Sequence, residues 1–213
     1  MEIIHLSEKN VTECAKRAEE VLRSGGVVLY PTDTLYGLGA DAFSDDAVEK
    51  IYAIKEREEG KPIHCIVADL AMAEKYAEVN DCARILAKEF LPGPLTLVLK
   101  KKKGIDAGIT RRIETMGIRI PNNDFCFAFA RAFGEPITTT SANRSGAPSA
   151  RRIDGILAGL GERAKEIDLV IDAGELPKNR PSTVVDVSSG HPVILREGAI
   201  LASDIWEAIR AEL

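Results

Sequence analysis

Pro136-Ile-Thr-Thr-Thr-Ser-Ala-Asn143 is the stretch from which the fold class is read. Ile137 to Thr140 is an apolar, β-branched run, the composition of a buried strand. It breaks at Ser141-Ala-Asn143 into Arg144-Ser-Gly-Ala-Pro148, a series of turn formers. Ligands of α/β sheets tend to sit beyond the carboxyl ends of strands. Ser141 and Asn143 therefore stand where a hydroxyl and an amide can bond ribose, phosphate or a carboxylate. Ordinary turn chemistry uses the same residues, so this stretch alone does not choose between the two.

Two upstream segments point the same way. Tyr30-Pro-Thr-Asp-Thr-Leu-Tyr-Gly-Leu-Gly39 reads as a strand, Val27 to Tyr30, that opens into a hydroxyl-rich, glycine-rich loop. Its glycines would let the backbone approach a ligand closely. Lys55-Glu-Arg57 ends a helical pattern that starts at Ser44, an N-cap followed by Asp45 and Asp46. Val48, Ile51 and Tyr52 share a face of that helix, and Lys55 continues it. A lysine there either snorkels or faces a polar pocket. With Lys61, Lys55 and Arg57 form a cluster suited to phosphate oxygens. The competing reading is a solvated helix end, with Glu56, Glu58 and Glu59 as partners.

Further strands are read at Pro62 to Ala68, Leu95 to Leu99, Gly117 to Ile120, Leu169 to Ile171, Thr183 to Val187 and Val193 to Leu195. Helices are read at Val11 to Arg23, stopped by Gly25-Gly26, and at Asp81 to Phe90, stopped by Pro92-Gly-Pro94. Asp124 to Phe133 reads as a buried helix, although Phe-Cys-Phe-Ala-Phe also alternates like a strand. Ser203 to Ala211 closes the chain, with Ser203 as N-cap and Trp206 and Ile209 on one face. Intermixed helices and strands give an α/β fold, a sheet flanked by helices. Two strands follow closely after Pro181, so a mixed sheet is expected. Lys100 to Lys103 reads as a solvated hairpin tip or edge guard.

The 213 residues suit one domain, 1–213, and 45% apolar residues suit a globular core. No apolar run reaches the roughly 20 residues that span a bilayer. No secretory leader is read at the start, so a cytoplasmic, reduced setting is expected. Four cysteines and three histidines are scattered without ligand spacing, which disfavours zinc. The net charge of −5 disfavours a dedicated nucleic-acid binder. Walker A and Gly-x-Gly-x-x-Gly patterns are absent.

The signals occur in one recognisable order. The chain resembles the YrdC-like family, the threonylcarbamoyl-AMP synthases of tRNA modification. The segments that carry the likeness are Tyr30 to Gly39, Lys55-Glu-Arg57, Pro92-Gly-Pro-Leu-Thr-Leu97, Gly117-Ile-Arg-Ile-Pro121, Thr140-Ser-Ala-Asn-Arg-Ser-Gly146, Ser182-Thr-Val-Val-Asp186 and Ile194-Leu-Arg-Glu-Gly198. The resemblance implies a twisted mixed sheet flanked by helices, with a concave basic cavity. It implies that L-threonine, bicarbonate and ATP give threonylcarbamoyl-adenylate and pyrophosphate, with Mg²⁺ accompanying ATP. It implies a downstream threonylcarbamoyl transferase complex and contact with tRNA or double-stranded RNA.

By the same resemblance, Lys55, Arg57, Ser141 and Asn143 hold ATP, with Thr115 and Arg196 beside the nucleotide, and the basic cluster adds Lys61 to the expected ATP site. Lys55 and Arg57 would supply the catalytic charge, and Thr34, Arg119 and Ser182 would hold threonine. Two positions depart from the family pattern. Glu58 stands where many members have proline, and Ile66 where some longer members have a histidine near threonine. The chain resembles the single-domain members. Two alternatives remain at this point: an RNA-binding module without chemistry, and a nucleotide-binding paralogue with another acyl acceptor.

Overall fold

The computed structural model describes residues 1–58 and 60–211. Along the chain run β1 (Glu2–His5), α1 (Val11–Arg23), β2 (Val28–Pro31), β3 (Tyr36–Gly39), α2 (Asp45–Lys55) and β4 (His64–Ile66). Then come α3 (Leu70–Tyr76), β5 (Ala77–Glu78), α4 (Asp81–Phe90), β6 (Leu95–Lys101), β7 (Thr115–Arg119), α5 (Asp124–Phe133) and β8 (Ile137–Ser141). The last third holds α6 (Ile153–Leu160), β9 (Leu169–Asp172), β10 (Thr183–Asp186), β11 (Val193–Arg196) and α7 (Ala202–Ala211).

The strands join one sheet in the order β1-β9-β2-β3-β8-β4-β7-β6-β10-β11, with β5 beside β6. Pairs such as β4/β7 and β6/β10 are parallel, while β2/β3, β3/β8 and β4/β8 are antiparallel. The sheet is mixed, as the close succession of strands after Pro181 requires. Helices cover both faces, and the period-2 alternation of strands sends residues to two cores. Val27 and Leu29 join a large core with Ile51, Leu86 and Ile205. Val28 and Tyr30 join a second one with Leu22 of α1 and Phe125 and Phe129 of α5. That second core settles Asp124–Phe133 as a helix: Phe125, Cys126, Phe129 and Phe133 recur at helical spacing and are buried.

Four helix starts carry a side-chain cap. Ser44, Asp69, Asn80 and Asn123 each accept from the backbone N–H three residues on. Several expectations need correction. Tyr36–Gly39 is a strand, not a loop, paired with β2 through Val28↔Gly39 to Pro31↔Tyr36. A Cβ on Gly39 would stand 2.7 Å from the Tyr30 ring, so this glycine makes room for a core tyrosine rather than for a ligand. α7 starts at Ala202, which puts Ser203 inside the helix. Its buried face is Ile205 and Ile209, while Trp206 is exposed. β6 runs on to Lys101, whose ammonium bonds the Thr110 carbonyl at 3.1 Å and is largely buried. The strand β1 and the helices α3 and α6 had no reading in the sequence. Among the described residues no helix is long and apolar enough to cross a membrane.

Candidate functional site

The strand ends of β3, β4, β7, β8, β10 and β11 surround a cavity of about 870 Å³. Among the described residues its wall carries five cations, Arg57, Arg119, Arg151, Lys178 and Arg196, and no aspartate or glutamate. Hydroxyl and amide groups fill the gaps between them: Thr32, Thr34, Thr96, Thr139, Ser141, Asn143, Asn179 and Ser182. Such a surface suits an anion with many oxygen acceptors.

Lys55 does not reach this wall. It is 1% exposed, and its ammonium donates to the carbonyls of Ser141 and Asn143, the latter at 2.8 Å. Its own carbonyl accepts from the Ser145 N–H at 2.8 Å. The end of α2 and the Ser141–Ser145 loop are thus fastened through one side chain and one carbonyl. Burial, and secondarily Arg57, pull the Lys55 ammonium down to about 8. The chain then turns sharply, because Glu56 sits in the left-handed region at φ 47°. That turn delivers Arg57 to the cavity, where its guanidinium donates to the Pro62 carbonyl at 3.1 Å. Asn143 is held by bonds from its amide nitrogen to the carbonyls of Arg144 (2.9 Å) and Ala147 (2.6 Å).

Arg119 occupies the opposite wall at the end of β7. It is buried, pairs with Asp33 and donates to Thr34 Oγ1 at 2.8 Å. Alternation explains its position: Ile118 enters the large core, so Arg119 must face the other side, which is the cleft. Ser182, ahead of β10, shares a hydrogen bond with Thr96 at 2.9 Å and accepts from Arg196 at 3.2 Å. The Arg196 guanidinium is lowered by burial and by Arg119.

The structure brings together Thr34, Arg57, Arg119, Ser141, Asn143, Ser182 and Arg196 on one surface. Lys55 lies behind that surface. Lys61 is exposed and pairs with Glu58 at 2.8 Å, as the solvated-helix-end reading has it. Thr115 pairs with Lys100 at the far end of β7, about 13 Å along the strand from Arg119. Neither Lys61 nor Thr115 lines the cavity.

Sequence reading missed His64. It stands in β4 opposite Thr139 of β8, and both side chains line the cavity. Burial, then Arg196, Arg57 and Arg119, pull its imidazole down to about 4. Three arginines that far apart in sequence give no local signal around a lone histidine.

The Sua5/YciO/YrdC family model, described as telomere recombination, matches residues 20–198. The chain belongs to the Sua5/YciO/YrdC family. A putative threonylcarbamoyl-AMP synthase of Methanocaldococcus jannaschii is 38% identical over 200 residues, 94% of this chain and 93% of that protein. The threonylcarbamoyl-AMP synthase of Pyrococcus abyssi is 34% identical over 97% of this chain, which spans 60% of that longer protein. The crystal structure of P. abyssi Sua5 complexed with L-threonine superposes with a TM-score of 0.90 at 33% identity, covering 98% of this chain and 61% of that one. Escherichia coli YciO superposes at 0.79 with 31% identity, covering 92% and 94%.

As a member of the Sua5/YciO/YrdC family, the chain shows where its own departures fall. Glu58 is exposed and pairs with Lys61, outside the cavity. Ile66 is fully buried in the aromatic core with Tyr30 and Phe125, so it presents nothing to the cleft.

Proposed function

We propose that the chain is a threonylcarbamoyl-AMP synthase. The carrying observation is the joining in one cavity of an Arg119–Thr34 pair with Arg57, Ser141, Asn143 and Arg196. The first pair suits the carboxylate and hydroxyl of an amino acid, since a guanidinium fork matches a carboxylate. The second group suits a triphosphate and ribose. Arg196 belongs to the same cavity wall and donates to Ser182.

In this reading the amine of L-threonine combines with bicarbonate or carbon dioxide to give a carbamate. A carbamate oxygen attacks the α-phosphate of ATP, and pyrophosphate leaves. The protein supplies position and charge neutralisation, with no protein nucleophile. Arg57 and Arg196 offset the triphosphate, while Lys55 holds the Ser141–Asn143 loop in register. Mg²⁺ would accompany the ATP phosphates, which are its usual ligands together with water. The adenylate would pass to a threonylcarbamoyl transferase acting on tRNA. The buried thiols Cys14, Cys65 and Cys126 suit a reducing cytoplasm.

The likeness to YciO favours one other reading, a nucleotide-binding paralogue with another acyl acceptor. Mass spectrometry of products after incubation with ATP, threonine and bicarbonate separates the two. Threonylcarbamoyl-adenylate supports the synthase. Pyrophosphate release that ignores which amino acid is present, with serine, valine and threonine at equal rates, sinks it. A methyl pocket separates threonine from serine by only about 1–3 kcal/mol. Serine should therefore be a poor substrate and valine, which lacks the hydroxyl, a worse one.

A further inference from the structure

His64 has three features that the roles above leave unused. Its ring packs flat on Gly117, where a Cβ would stand 2.3 Å from Cδ2 and 3.1 Å from Nε2. Only a glycine at 117 leaves the ring that slot. Among the described residues neither ring nitrogen forms a hydrogen bond, and neither is sealed from the cavity. An imidazole nitrogen with a free lone pair therefore faces the space that the arginines surround.

Position relative to Arg119 gives that nitrogen a task. Gly117 and Arg119 lie on the same face of β7, two residues or about 7 Å apart. The ring on Gly117 and the guanidinium are neighbours along one strand. In the synthase reading, an α-amino acid whose carboxylate is held by Arg119 would carry its amino group on the adjacent carbon, close to that gap. That group arrives from water as an ammonium, and an ammonium cannot attack carbon.

We propose that His64 accepts the proton that the amino acid's ammonium gives up on becoming a carbamate. The proposal rests on the synthase reading above. The step balances. R–NH₃⁺, HCO₃⁻ and neutral imidazole give R–NH–COO⁻, H₂O and imidazolium. One ammonium proton passes to the imidazole and its N–H electron pair forms the N–C bond, while hydroxide leaves the bicarbonate carbon and takes the second nitrogen proton to become water.

The charges around the ring serve this role. Arg57 beyond α2, Arg119 on β7 and Arg196 on β11 face it, β8 presents the uncharged Thr139, and Asp33 is engaged by Arg119. Burial first, and these arginines second, keep the imidazole neutral in the free protein, so its lone pair is available at neutral pH. A bound triphosphate and carboxylate offset the same arginines, and the ring becomes more basic when the substrates are in place. The site would arm its base by filling.

The test uses the parent protein and His64→Gln. Imidazole NMR of the free parent should give a midpoint of about 4 for the His64 signal, assigned by its absence from His64→Gln. Threonine plus a non-hydrolysable ATP analogue should move that midpoint upward. His64→Gln should bind the analogue like the parent and lose roughly 10²-fold or more in kcat near pH 7. Its rate should then climb about tenfold per pH unit toward the pKa of the free amine, as solution takes over the deprotonation. A rate equal to the parent's at every pH overturns the proposal, as does an equal fractional loss at every pH. A midpoint unmoved by the substrates overturns it too. If the parent itself forms no threonylcarbamoyl-adenylate, the synthase reading fails and this role falls with it. A productive parent beside an unaffected variant removes only the role of His64.

Discussion

The ammonium of Lys55 donates to the main-chain carbonyl of Asn143 at 2.8 Å, so the basic helix end and the Ser-x-Asn loop form one unit. The lysine acts on the cavity from behind. Lys55→Met keeps the length of the side chain and removes the donor. Leaving buried carbonyls without it costs about 1–3 kcal/mol. Urea titration should show that loss, and calorimetry should show weaker ATP binding alongside it. Weaker binding with unchanged stability would mean that Lys55 contacts the nucleotide directly.

Arg57→Ala should behave in the opposite way. Among the described residues its guanidinium donates to the nearby carbonyls of Lys61 and Pro62 at the cavity rim. Removing a charge-assisted contact to phosphate costs about 1.5–3 kcal/mol of binding. ATP affinity should fall by that amount while the melting temperature stays within a degree or two of the parent's.

Arg119→Ala should damage both binding and folding. Arg119 and Asp33 are each largely buried, and breaking such a pair costs about 3–5 kcal/mol because one charge is left behind. Adding Asp33→Asn to Arg119→Ala should restore part of the stability and none of the response to threonine. A double-mutant cycle in urea and an amino-acid-dependent pyrophosphate assay read the two effects separately.

Acid should weaken the fold through His64. Its ordinary value is 6.5, and the folded protein holds it near about 4. Between those two pH values the unfolded chain takes up a proton that the native state refuses. Stability attached to this group is therefore present above pH 6.5 and lost as pH falls toward 4. The loss is of order 3 kcal/mol. Carboxylates titrate in the same window in both proteins, so the comparison is with His64→Gln. The parent should lose that much more stability than the variant between pH 6.5 and 4.

Gly39→Ala tests the reading of the glycines in β3. The new methyl would press on the Tyr30 ring at 2.7 Å and on Ile137 at 3.2 Å. Overpacking of this kind costs about 1–3 kcal/mol. Gly37→Ala meets Thr139 and Tyr30 at 3.5 Å, an ordinary contact, and should cost little. Thermal melts of the two variants, side by side, decide the point.

The sequence by itself determined the α/β class, the helices Val11–Arg23 and Asp81–Phe90, and the mixed sheet, while Asp124–Phe133 needed the second core to settle it as a helix. Those features rest on periodicity, caps and turn residues, which act within a few residues of one another. The ordered motifs also named part of the cavity wall: Thr34, Arg57, Arg119, Ser141, Asn143, Ser182 and Arg196. Only the tertiary structure decided which groups face the cavity and which stand behind it. Lys55 and Arg57 differ by two positions, yet a left-handed Glu56 sends one inward and the other to the wall. His64 looks like any isolated histidine until β4 comes to lie beside β7 and β8, with the arginines of three distant segments around it. Burial and the field of distant charges depend on the whole folded arrangement, and no local stretch of sequence encodes them.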